Sequence, residues 1–103
     1  MIIVQGWVRL DEGELDRLHD VAITMMEETR KEEGCIAYTF SRAMEDPNLM
    51  RIAEVWEDQA SLDAHGKSPH MATFNQSLGS AKILGISIKA YPAEAGKTLM
   101  GAD

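Results

Sequence analysis

From residue 2 to residue 10 the chain alternates: Ile2, Val4, Gly6, Val8 and Leu10 fall on one side, Ile3, Gln5, Trp7 and Arg9 on the other. This two-residue period belongs to a strand, and the first side is the cleaner core face. Asp11-Glu12-Gly13 interrupts it. Leu15, Leu18, Ala22, Met25, Met26 and Thr29 then recur at three- and four-residue spacing in a polar background, which predicts an amphipathic helix ended by Gly34. Over residues 35 to 43 the alternation returns, with Ile36, Tyr38, Phe40 and Arg42 opposing Cys35, Ala37, Thr39 and Ser41. Glu45-Asp46-Pro47-Asn48 is turn chemistry and residues 49 to 57 form a third strand, so 35 to 57 reads as a hairpin. Asp58 is placed to cap a short helix carrying Leu62 and His65. Ser68-Pro69 starts a second helical segment, whose apolar face continues through Met71, Phe74 and Leu78. Residues 81 to 91 make the last strand, with Leu84, Ile86 and Ile88 sharing a face, and Pro92 closes it.

The resulting order is β-α-β-β-α-β with the second helix broken at Gly66-Lys67-Ser68. An α+β, ferredoxin-like fold accommodates it most simply: a four-stranded antiparallel sheet with helices on one face. Residues 1–92 form the domain, and residues 93–103, which lack a strong period, form a tail that is mobile or packs on a neighbouring subunit. The uncovered face is expected to carry Ile3 and Trp7, and with them Tyr38, Phe40, Ile52, Glu54 and Trp56. That is too much apolar surface for a monomer to expose. A homodimer joined through sheet faces is therefore expected, with Trp7, Tyr38, Glu54 and Trp56 at its interface.

Ten basic against 17 acidic residues give a net charge of −7, which denies the chain the basic footprint of a nucleic-acid binder. The single cysteine, Cys35, cannot form an internal disulfide and suits a reducing cytosol. No apolar run approaches a membrane span, and the amino terminus lacks the pattern of a secretory leader. A cytoplasmic protein with neither membrane nor nucleic-acid partner is expected.

Three groups of residues carry the chain's identity: Gly34-x3-Tyr38, then Glu54-Val55-Trp56, then Ala64-His65-x2-Ser68-x-His70 followed by Phe74. In this order and spacing, over roughly residues 1 to 91, the chain resembles the antibiotic biosynthesis monooxygenase domain family, dimeric α/β-barrel proteins that include small quinol monooxygenases. The resemblance implies a pocket between helices and sheet in which a phenolic or quinol-type aromatic substrate reacts with dioxygen without metal or flavin. An electron-rich phenolate can supply the electrons itself, so the protein deprotonates, orients and excludes water.

Histidine suits the base role because its ordinary pKa lies near neutrality. His65 is the candidate, with His70 as a weaker companion; the competing reading makes His65 a structural partner of backbone groups at the Gly66 break. His19 lies on the polar part of the first helix and is given no role. Val4, Val8, Leu62, Phe74, Leu84 and Ile86 are the expected pocket lining. Trp56 and Tyr38 read more readily as packing than as chemistry, and Glu54 as half of an ion pair with Arg9 or Arg42. His65 and His70 stand five apart across a Ser-Pro break, not at the i, i+4 spacing of a helical zinc pair, and the seven methionines read as adaptable core. Neither metal nor cofactor is expected. Two alternatives stay open: a non-catalytic dimeric module that binds a small ligand, and a haem-binding or haem-degrading protein. Haem enzymes on this scaffold carry an axial histidine where this chain has Asn75 and a first-strand asparagine where it has Gly6, and both departures count against haem.

Overall fold

The computed structural model describes residues 1–101. Along the chain run β1 (Ile2–Leu10), α1 (Glu14–Thr29), β2 (Cys35–Arg42), β3 (Leu49–Trp56), α2 (Gln59–Gly66), α3 (Pro69–Gly79) and β4 (Ile83–Pro92). The strands form one antiparallel sheet in the order β2-β3-β1-β4, and the helices cover one side. This is the ferredoxin-like arrangement the element order predicts. The last strand begins two residues later than its pattern suggests, because Ala81 donates its N–H to the Leu78 carbonyl and closes the turn after α3. Both helix starts after β3 use the expected caps: Asp58 Oδ1 accepts from Ser61 N at 2.8 Å and Ser68 Oγ from Met71 N at 3.2 Å. The tail from Ala93 has no regular structure through residue 101, though the Ala93 N–H bonds the Met1 carbonyl at 2.8 Å. Residues 102 and 103, the end of the expected tail, lie outside the described residues.

Register corrects one expectation. Ile2 stands opposite Trp56, Val4 opposite Glu54, Gly6 opposite Ile52 and Val8 opposite Met50, and directly opposed residues in an antiparallel pair share a face. Tyr38 in turn opposes Glu54, and Phe40 opposes Ile52. Tyr38, Glu54, Ile52 and Trp56 therefore lie with Val4 and Val8 beneath the helices, not on the open face. Trp56 and Val8 are completely buried, and Tyr38 is 2% exposed. Of the four interface candidates, Trp7 alone remains on the open side, where the Arg9 guanidinium lies 5.7 Å from the centre of its ring.

The turn from α1 to β2 is set by Gly34, which holds a left-handed backbone at φ +83°. A β-carbon there would also run into the Ser61 side chain. This turn and the start of α2 are thus in contact, with the Glu57 N–H on the Gly34 carbonyl at 2.9 Å. The contact brings residues 30 to 34 against the helices that carry the histidines.

Candidate functional site

A cavity of about 640 Å³ lies between the sheet and the α2–α3 pair. The sheet contributes Val4, Tyr38, Phe40, Ile52, Glu54, Ile88 and Ala90, and the helical side Leu62, His65, Met71, Phe74, Asn75 and Leu78. Its wall is mostly apolar and aromatic: the Phe40 and Phe74 rings stack at 5.1 Å, and Tyr38 stands 5.1 Å from Phe40. Such a wall accepts a flat ring by shape and leaves orientation to a few polar groups.

His65, near the end of α2, is 3% exposed and is held on three sides. Trp56 lies 4.8 Å from its ring centre and Tyr38 meets it edge-on at 5.2 Å. Its Nδ1 is 2.7 Å from Oε2 of Glu32, a residue of the α1–β2 turn. The same carboxylate oxygen meets Nε2 of His70 at 2.8 Å. A carboxylate only accepts, so each imidazole presents an N–H to it. A neutral His65 is thereby held in the tautomer that leaves Nε2 without a proton, and among the described residues Nε2 has no hydrogen-bond partner. The group beside the cavity is thus a proton acceptor oriented from behind by a carboxylate.

Glu54 is the second titratable group on the cavity wall, 7% exposed. Among the described residues it has no arginine partner: Arg9 pairs with Asp46 at 3.4 Å and Arg42 with Asp16 at 2.8 Å, both near the surface. The Trp56 indole N–H instead donates to Glu54 Oε1 at 2.9 Å. Burial pushes the Glu54 carboxyl above its ordinary range, against the lowering by the indole hydrogen bond and by His65. Burial likewise pushes the Tyr38 phenol well up, and the Glu54 charge adds to it, so Tyr38 stays protonated and can donate. Because the folded state holds the Glu54 proton more tightly than the unfolded chain, Glu54 contributes stability that is full below the unfolded carboxyl range and is lost as pH rises through the folded one. Glu54→Gln keeps an oxygen for the indole and removes the titration. It is expected to gain stability over the parent at pH 7, with the gain vanishing by about pH 4; urea denaturation at both values measures this, and a gain that grows on acidification would contradict it.

The six residues expected to line a pocket are divided by the structure. Val4, Leu62 and Phe74 border the cavity, whereas Val8, Leu84 and Ile86 do not. Val8 pairs with Met50 and Ile86, four residues along β1 from Val4, roughly 13 Å at strand rise. There it is sealed in the core. Leu84 and Ile86 are 56% and 51% exposed. Their places are taken by Ile88, Ala90, Tyr38 and Phe40. Of the two haem-related positions, Asn75 does line the cavity, while Gly6 has no room for a side chain: a β-carbon there would lie 2.8 Å from the Ile88 Cα and run into the Ser87 carbonyl. His19 pairs with Asp20 at the surface, outside the site. Glu32 was not legible in the sequence, since it sits in the run Glu27-Glu28-Thr29-Arg30-Lys31-Glu32-Glu33, which reads as solvated charge.

Comparisons with known proteins agree with this architecture. The family model described as antibiotic biosynthesis monooxygenase matches residues 1–77. An uncharacterised protein of Synechocystis, sll1783, is 28% identical over 98 residues, covering 95% of this chain and 67% of that protein. The provisionally named monooxygenase YcnE of Bacillus subtilis is 23% identical over 74 residues, 72% of this chain and 78% of its own length. Among solved structures, a provisionally named antibiotic biosynthesis monooxygenase of Deinococcus radiodurans superposes with a TM-score of 0.89 at 24% identity, over 98% of this chain and all of that one. A conserved protein of Methanosarcina mazei superposes with a TM-score of 0.83 at 28% identity, over 90% of this chain and 92% of its own.

Proposed function

This chain belongs to the antibiotic biosynthesis monooxygenase family, and we propose that it oxidises a small phenolic or quinol-type aromatic with dioxygen, using electrons from the substrate and His65 as the base. The reading is supported by His65 on the wall of an aromatic-lined cavity, its Nδ1 held by Glu32 and its Nε2 without a hydrogen-bond partner among the described residues. A phenol entering the cavity gives its proton to Nε2, and the phenolate is electron-rich enough to reduce dioxygen. One oxygen atom bonds to ring carbon and the other leaves as water; a phenol with a free para C–H thus becomes a para-quinone, and the two electrons that make the water come from the ring. Tyr38 and Glu54, both protonated more readily than usual because of burial, are available to hydrogen-bond a substrate oxygen. The apolar wall excludes competing water.

Incubating the purified protein with naphthoquinols and polycyclic phenols, with and without oxygen, tests the reading. Oxygen uptake above quinol autoxidation and a hydroxylated or quinone product support it. Ligand binding without oxygen uptake would instead favour a non-catalytic binding module, and a shifted Soret band on mixing with hemin would favour haem.

The working form we propose is a homodimer. The open side of the sheet is a broad depression bordered by Trp7, Arg51, Lys89 and Tyr91, and Tyr91 there is 49% exposed. A second copy would cover this surface. Sedimentation equilibrium is expected to return twice the chain mass, and Trp7→Glu to return one; a wild-type protein that runs as a monomer at micromolar concentration refutes the dimer.

A further inference from the structure

We infer that Glu32, His65 and His70 form a binding site for a divalent first-row transition-metal ion. The three residues come from three segments, the α1–β2 turn, α2 and the first turn of α3, and their ligand atoms all lie within 4.8 Å of one another. Two imidazole nitrogens and one carboxylate oxygen form a donor set suited to zinc, cobalt or nickel and unsuited to magnesium or calcium, which take oxygen alone. Histidine spacing alone does not reveal this set, because the third donor comes from 33 positions before His65.

The present contacts, 2.7 and 2.8 Å from Glu32 Oε2 to the two nitrogens, are hydrogen bonds. Bonds of about 2.0–2.2 Å to an ion would set the donor atoms roughly 3–3.5 Å apart, so the oxygen retreats slightly and the two nitrogens draw together. His70 and Glu32 have side chains 18% and 17% exposed, which leaves a way in from solvent and room for water to complete the coordination. The charges suit a cation: one carboxylate between two imidazoles is a net negative site, partly shielded from water.

For neutral imidazoles, binding exchanges tautomers rather than releasing protons. Both imidazoles turn a lone pair to the ion and carry the proton on the opposite nitrogen. For His65 that places N–H on Nε2, the atom proposed as the base, where it can no longer accept a proton. An ion here therefore switches the base off; this consequence alone rests on the proposed role of His65, and ion binding does not.

Equilibrium dialysis of the full chain against Zn²⁺, and the visible absorption of added Co²⁺, read the site without any substrate. One ion per chain is expected, with affinity lowered at least about tenfold in Glu32→Gln and in His70→Ala and unchanged in His19→Ala. Failure of the wild type to take up one ion at millimolar Zn²⁺ would overturn the inference, as would wild-type affinity in either variant. Both substituted residues are partly exposed, and circular dichroism verifies that the variants are folded. If an oxygenase activity is found, Zn²⁺ is expected to inhibit it over the same concentration range in which it binds. Binding without inhibition would remove the tautomer switch and leave the metal site standing.

Discussion

Replacing His65 with alanine is expected to lower substrate-dependent oxygen uptake by roughly 10²–10⁴-fold, the usual contribution of a positioned general base. The effect should fall on kcat, since the aromatic wall that binds the ring is left in place. Because His65 is buried against Trp56 and Tyr38, His65→Gln serves as the companion variant that keeps most of the volume without a base. Both are read by initial rates after subtraction of autoxidation. An uptake rate equal to wild type in a folded variant would remove His65 from the chemistry even if the protein remains an oxygenase. Glu32→Gln adds a sharper reading: it leaves the cavity wall untouched but replaces the acceptor that holds His65 in one tautomer, so kcat should fall while KM stays near its original value.

Trp56→Ala is expected to cost about 3–5 kcal/mol of folding stability, the range for removing a large aromatic from a packed core. The indole has no exposed surface, meets Tyr38 edge-on at 6.4 Å, and satisfies Glu54 through its N–H. Two losses are therefore combined, and Trp56→Phe separates them. It retains most of the packing and leaves the buried Glu54 carboxyl without its donor, for which about 1–3 kcal/mol is expected. Chemical denaturation at fixed pH measures both, and a cost below about 1 kcal/mol for the alanine variant would mean that the α2–sheet contact collapses to fill the gap.

Strand and helix positions were legible because they depend on local period: β1 is found where its alternation places it, and both short helices begin at Asp58 and Ser68. Which way a second strand faces is not a local property. Met50, Ile52, Glu54 and Trp56 alternate cleanly with Leu49, Arg51, Ala53 and Val55, but only the pairing of Val4 with Glu54 says that the first set turns inward. A carboxylate in that set suggests the solvent side until the indole that satisfies it is seen. The same limit applies to the site. Leu62 and His65 lie on one short helix and Phe74 on the next, close enough in the chain to be grouped by spacing. Glu32 reaches them only through the Gly34 turn, a tertiary contact that leaves no mark in a charged run.

The chain has two tryptophans, and the sheet places them on opposite sides: Trp56 is packed against His65 under the helices, and Trp7 is on the open face. The protein thus carries two built-in optical reporters that do not share an environment. With Trp7 replaced by phenylalanine, the remaining emission follows what happens around the imidazole; with Trp56 replaced, it follows what covers the sheet. Cavity occupancy and subunit association, which a bulk spectrum would merge, become separately observable without attaching a label.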